Sequence, residues 1–175
     1  MDETTFINQA ILPKSWAPYR KHNEHWIDSE RMNVTVFGAI GSCLKSPVYM
    51  LADTTNAHNF KMFVKRIHEN VKFGIEIKPL LVYDGHPAHR SHQGRAVIAK
   101  YFTDFLNVPY SCNFNAIEKV WFVAKRQMLK KLLLIPDIDK NKFMDIVWNC
   151  LHDIPPQTIR GLLRSNRAYI RKYLE

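Results

Sequence analysis

Apolar and polar positions alternate at the start of the chain. Asp2, Thr4 and Phe6 point one way and Glu3, Thr5 and Ile7 the other, which predicts a strand over Met1 to Ile7. Pro13 to Glu30 is polar, with Trp16, Tyr19 and Trp26 scattered through it, and reads as a loop or ragged hairpin. Asn33 to Ile40 is β-branched and aromatic, and Pro47 to Ala52 follows in kind, so the first three strands are predicted to be antiparallel neighbours. The period then changes. Phe60, Phe63, Val64, Ile67 and Val71 recur at helical spacing behind a capping Asn56, and Gly74 is the predicted stop. Pro79 to Tyr83 is a continuous apolar run, as in a strand buried on both faces, and it ends at Asp84-Gly85. A second helix is predicted over about 92–106, with Val97, Ile98, Tyr101, Phe102 and Phe105 inward. Val108 to Tyr110 is predicted as a short strand, and Ala116 to about Leu134 as a third helix. Two further helices fill about 137–174, broken at Pro155-Pro156. The order of elements predicts a mixed α/β layer with helices on both faces.

Composition narrows the class. The hydrophobic fraction of 46% is enough for a packed core, and no apolar run is long enough for a membrane span. The N-terminus has no secretory signal pattern. Three scattered cysteines, Cys43, Cys112 and Cys150, form no metal or disulfide spacing and suit a reducing compartment. Net charge is +9 and uneven: residues 1–88 carry 10 Lys/Arg against 9 Asp/Glu, and residues 89–175 carry 15 against 7. A basic half on a folded domain suits a polyanion, of which nucleic acid is the commonest.

Candidate chemistry lies at element ends. Asp2 is on the first strand, Asp84 closes the buried strand and Glu118 opens the third helix. Taken alone, Asp84 reads better as ordinary turn chemistry than as a ligand. Asn115-Ala116-Ile117-Glu118 has the form of a capping box, and on spacing alone a cap is preferred for Glu118, although a carboxylate has two oxygens and both roles are compatible. Lys125 lies two turns after Glu118 on the same helix face, about 10 Å along the axis, and Arg126, Lys130 and Lys131 continue a basic helix. Ile117, Val120, Trp121, Ala124 and Met128 read as its core face. His86, His89 and His92 recur every third residue, but in a Gly/Pro/Ser-rich loop they read as exposed histidines rather than a zinc site.

Four segments together resemble the mariner-type transposases and their bacterial insertion-sequence relatives, in the DDE superfamily. They are Asp2-Glu3-Thr4-Thr5-Phe6 with Lys14-Ser15-Trp16-Ala17-Pro18; Val34 to Ser42; Leu81-Val82-Tyr83-Asp84-Gly85 with His89 five residues after the aspartate; and Val108-Pro109-Tyr110-Ser111 through Asn115-Ala116-Ile117-Glu118 with Lys125. Asp84 and Glu118 are 34 positions apart, as that family's last two acids require. Cys112 and Ala116 stand where the signature has prolines, and Gly85 where it has asparagine. The resemblance implies an RNase H-like mixed five-stranded sheet flanked by helices, with a catalytic core over 1–135 and C-terminal helices over 136–175 packed on it. It implies a DNA endonuclease and strand transferase of the cut-and-paste kind, with Asp2, Asp84 and Glu118 as catalytic acids holding two Mg²⁺ or Mn²⁺ ions. The alternative is a catalytically silent or truncated nucleic-acid-binding relative. Lys125, Arg126, His89 and Arg90 are the implied DNA contacts, His89 otherwise orienting the active site, and Asn115 caps the helix of Glu118. The implied partners are transposon-end and target DNA, with a homodimer when full length and no membrane. The implied location is the nucleus in a eukaryote and otherwise the cytoplasm. The family's N-terminal helix-turn-helix modules have no counterpart before Met1. An excised domain, a degenerate copy and a host-recruited remnant all fit that, and the strand of Asp2 is expected to fray.

Overall fold

The structure, a computed structural model, describes residues 1–8, 31–72, 74, 77–107, 112–135 and 138–174. Among these residues the strands are β1 (Asp2–Ile7), β2 (Asn33–Ala39), β3 (Val48–Ala52), β4 (Leu80–Tyr83) and β5 (Thr103–Leu106). The α-helices among them are α1 (Ala57–Glu69), α2 (Pro87–Arg90), α3 (His92–Tyr101), α4 (Ala116–Leu132), α5 (Lys140–His152) and α6 (Pro156–Leu174). The expected α/β class holds. The predicted loop at 13–30 and the predicted strand at 108–110 lie outside the described residues.

Among the described residues the strands form two hydrogen-bonded sets. β1, β2 and β3 are antiparallel in that order, with Asp2 opposite Gly38 and Phe6 opposite Val34, while β4 and β5 are parallel. The Met1 nitrogen donates to the Val82 carbonyl at 2.7 Å and so links β1 to β4. The period-2 pattern of β1 sends its faces to two cores. Phe6, Val34, Val36 and Tyr49 pack with Ile117, Val120, Trp121 and Ala124 of α4 and with Phe143, Val147 and Cys150 of α5. Phe37, Ala39 and Val48 pack with Phe60, Phe63 and Val64 of α1 and Val97 and Ile98 of α3. Helices thus cover both faces, each presenting an apolar stripe to the sheet.

Four expectations are corrected. α1 stops at Glu69, capped by Asn70, not at Gly74. Beyond it the chain finds tertiary partners: Lys45 N–H donates to the Asn70 carbonyl, Lys72 N–H donates to the Cys43 carbonyl, and Val71 bridges Leu44. The helix predicted over 92–106 ends at Tyr101, because Phe102 is extended (φ −135°) and residues 103–106 give β4 a parallel partner. Phe105, expected inward, is exposed on that strand. His89 is not an exposed loop histidine: it lies on α2 and is fully buried, with His86 as the cap residue before it. The front of the chain does not fray. Met1 and Asp2 are both buried, held by the bond to Val82 and by Asn115 Nδ2 donating to the Met1 carbonyl at 3.3 Å.

Candidate active site on the two faces of β1

Asp2 faces α4. Its Oδ2 accepts a hydrogen bond from Trp121 Nε1 at 3.0 Å, a contact that the reading of Trp121 as core alone did not anticipate. The indole reaches this position because residue 38, directly opposite Asp2 on β2, is glycine. A Cβ there would lie 2.2 Å from Trp121 Cη2, inside any van der Waals contact. Burial first, then the nearby carboxylate of Glu118, push the Asp2 carboxyl up to about 7, against the Trp121 hydrogen bond. Glu118 stands exposed on the first turn of α4. Two positions further along the same face of β1, Thr4 Oγ1 accepts from Lys125 Nζ at 2.7 Å, and that nitrogen lies 5.5 Å from the Phe6 ring centroid. Burial lowers its pKa, while Glu118 and Asp2 draw it back up. Glu118 and Lys125 therefore share a helix face, as their spacing predicts.

The capping box does not form. Asn115 is the N-cap residue of α4 but makes no side-chain cap bond. Its amide is committed to the Met1 carbonyl, so it ties the helix of Glu118 to the strand of Asp2. Asn115 thus supports the site across elements rather than within its own helix.

Glu3 faces the other way, toward α2. Its Oε1 lies 2.7 Å from His89 Nε2, and His89 Nδ1 lies 2.9 Å from Asp84 Oδ1 and 3.1 Å from the Asp84 carbonyl oxygen. The ring is packed against Phe60, with centroids 4.3 Å apart, and edge-on to Tyr83. Burial would drive the imidazolium toward its neutral form, but hydrogen bonds to Asp84 and Glu3 outweigh it and raise the pKa to about 9. His89 is therefore charged at neutral pH, donates from both nitrogens, and sits over aromatic faces that favour a cation. In return the His89 hydrogen bond, ahead of a bond from the His86 N–H, lowers the Asp84 pKa. Gly94 holds the pair in place: a Cβ there would lie 2.6 Å from the carbonyl oxygens of both Ala88 and His89.

Three acids were expected to converge, and the structure gathers them in two parts. Asp2 and Glu118 interact on the α4 side; Asp84 is joined to His89 and Glu3 on the other. Among the described residues, the one set of three metal-capable side chains with ligand atoms within 4.8 Å of one another is Glu3, Asp84 and His89. The two parts meet at Met1, whose terminal ammonium has its pKa lowered by burial and raised by Asp2, Glu3 and Asp84 in turn. Of the expected DNA contacts, Arg126 and Arg90 are exposed and Lys125 is half-buried; His89 is turned inward to its two carboxylates. Glu3 was not anticipated as a site residue. Its signal is the strand alternation, which places it opposite Asp2 and on the side of the histidine.

The donor chemistry of the two parts differs. Asp2 and Glu118 offer oxygen alone, which suits hard divalent cations. On the other side the imidazolium already stands where a cation would, so metal binding there requires His89 to lose its proton. Between Asp2 and Glu118, by contrast, no cation is hydrogen-bonded among the described residues: Lys125 is drawn toward both but donates to Thr4.

A sequence-family model described as "DDE superfamily endonuclease" matches residues 1–139. No curated protein sequence matches the chain. Among solved structures, the crystal structure of the Mos1 strand transfer complex is similar over 94% of this chain and 53% of that one, at 13% identity and a TM-score of 0.52. The Mos1 transposase catalytic domain with raltegravir and Mn is similar over 77% of this chain and 76% of that one, at 13% identity and a TM-score of 0.48. A simian T-cell lymphotropic virus intasome is similar over 68% of this chain and 41% of that one, also at 13% identity and a TM-score of 0.48. The chain thus spans about half or less of two of these three relatives, and the likeness of fold rests on the strand transfer complex, with the RNase H-like arrangement expected from the sequence. By the extent of the family match, the chain belongs to the DDE superfamily endonucleases.

Proposed function

We propose that this chain is the catalytic domain of a cut-and-paste transposase, a divalent-metal-dependent DNA endonuclease and strand transferase acting on transposon ends. The observation that carries this reading is the pairing of buried Asp2 with Glu118, which leaves a carboxyl at about 7 that a divalent cation would return to its charged form. Asp2, Asp84 and Glu118 would hold two Mg²⁺ or Mn²⁺ ions. When bound, two such ions stabilise the entering and leaving oxygens of an in-line phosphoryl displacement. The chain's own residues supply the rest. Trp121 fixes one oxygen of Asp2, and His89, itself held by Glu3, fixes one oxygen of Asp84. Lys125, Arg126 and Arg90 would meet backbone phosphates, and His89 acts through Asp84. The partners are transposon-end and target DNA, with a homodimer of the full-length protein, in the nucleus or, in a bacterium, the cytoplasm. Among the described residues no helix is long and apolar enough to cross a membrane.

One observation favours a second reading, a silent nucleic-acid-binding domain: Asp84 Oδ1 is already engaged by His89 and by the His86 N–H. Nicking of supercoiled duplex DNA in Mg²⁺ and in Mn²⁺, with Asp84→Ala and Glu118→Gln alongside, separates the two. The endonuclease predicts cleavage that both variants lose while still binding DNA in EDTA. Salt-sensitive DNA binding with no cleavage in either metal would leave the silent domain standing.

A further inference from the structure

The turn between β2 and β3 and the first half of α6 enclose a cleft of about 350 Å³ lined by Lys45, Lys72, Arg160, Arg164 and Arg167 and, among the described residues, by no carboxylate. Asp2, Asp84, Glu118 and Lys125 are not among its lining residues. Two of its cations are bonded to uncharged oxygens: Lys72 Nζ donates to the Ser42 carbonyl at 2.8 Å, and Arg167 Nη2 donates to Ser42 Oγ at 3.3 Å. Arg160, Arg164 and Arg167 take part in none of the ion pairs among the described residues. Among the described residues, Arg160, Arg164 and Arg167 therefore bring positive charge together here with no carboxylate paired to them, a self-repulsion that a polyanion removes.

α6 makes this concentration regular. Arg160, Arg164, Arg167 and Arg171 follow one another at steps of four, three and four, so they form one exposed stripe, and the helix has no acidic residue. The stripe runs about 16 Å along the axis, roughly the rise of five successive phosphates of one DNA strand. The opposite face is anchored: Ile159 is in the core and Asn166 Nδ2 donates to the Asn113 carbonyl at 3.0 Å. The stripe is thus displayed by a fixed helix, and its guanidiniums are the side chains best suited to paired hydrogen bonds with phosphate oxygens.

We infer that this cleft and the arginine stripe of α6 are a duplex-DNA backbone contact separate from the acidic site. The choice of DNA as the polyanion rests on the proposed function; the cleft's charge does not. The test is binding of a short DNA duplex in EDTA across a salt series, which reads the surface without any cleavage. The combined variant Arg160→Gln/Arg164→Gln/Arg167→Gln is expected to make the slope of log K against log salt shallower by about 2–3, at about 0.9 per phosphate contact. The Arg→Lys triple keeps the wild-type slope. A charge-matched triple on α1 and α3, Lys61→Gln/Lys65→Gln/Lys100→Gln, leaves it unchanged. An unaltered slope in the arginine triple would overturn the inference, as would an equal change in both triples, which is a whole-molecule charge effect, or a preference for duplex RNA over DNA. Nicking in Mg²⁺ is measured separately, so a chain that does not cleave but shows the slope change refutes the endonuclease and keeps the cleft.

Discussion

Asp2 and Glu3 are adjacent in the chain and lie on opposite faces of β1, in surroundings of opposite character. On the α4 face, Asp2 is buried beside a second carboxylate, its one strong hydrogen bond comes from a neutral indole, and its carboxyl rises to about 7. On the α2 face, Glu3 and Asp84 enclose an imidazolium, and Asp84 falls below its ordinary value. On the α4 face the nearby cation, Lys125, is bonded to Thr4 and not to either carboxylate; on the α2 face the cation lies between the carboxylates. A strand can thus set up a cation-seeking carboxylate and a self-neutralised one at consecutive positions, because period 2 separates them completely.

The strongest way to break the contrast is His89→Ala. It leaves Glu3 and Asp84 without their shared cation, and removing one partner of a buried ion pair costs about 3–5 kcal/mol. Urea unfolding at pH 7 measures it. If Asp84 is a metal ligand, the apparent metal affinity in the cleavage assay also falls, by about 10- to 100-fold, as for other residues that orient a ligand.

Next in size is the effect of pH, and it assigns the two faces separately. Asp2 has a folded pKa near 7 against an unfolded value near 4, so the folded state binds the extra proton. Stability is fully present below the unfolded value and declines as pH rises to about 7, by on the order of 4 kcal/mol. His89 is raised to about 9, so its contribution is full below about 6.5 and is lost as pH rises through 9. Denaturation of the metal-free chain at pH 4.5, 7.5 and 9.5 shows both declines. Asp2→Asn abolishes the first and keeps the second, and saturating Mg²⁺ narrows the first alone.

The smallest effect sharpens the α4 face. Gly38→Ala drives a methyl group against the Trp121 ring and costs about 1–3 kcal/mol, as overpacking does. The displaced indole releases Asp2, so the fluorescence of Trp121 shifts in the native state; an unchanged emission spectrum counts against the contact.

Much of this was legible from periodicity. Alternation in residues 2–7 and β-branching in 33–40 give the antiparallel strands, and the helical rhythm gives α1, α4 and the core face of α4. The errors came where tertiary pairing overrode local pattern. Thr103 to Leu106 carries a helix-compatible spacing but is drawn into β5 by the open edge of β4. Val71 continues the stripe of α1 but bridges Leu44 instead. At the site, Asp2, Asp84 and Glu118 are picked out by resemblance, and strand, turn and helix place each of them. Glu3 with His89 was not legible, because 86 positions separate them and a four-residue helix gives too little period to reveal its buried side.

The alternation of β1 has a consequence for how this strand finds its alignment during folding. A slip of one residue would exchange the faces of Asp2 and Glu3. Each face would still receive a carboxylate, so the acids barely discriminate the correct pairing from the shifted one. That task falls to Phe6, which is wholly enclosed in the native alignment and would be turned out of its core by the slip, and to Gly38, the notch that admits Trp121 opposite position 2. The alignment of the acidic residues is thus specified by two residues that carry no charge, one of them without a side chain.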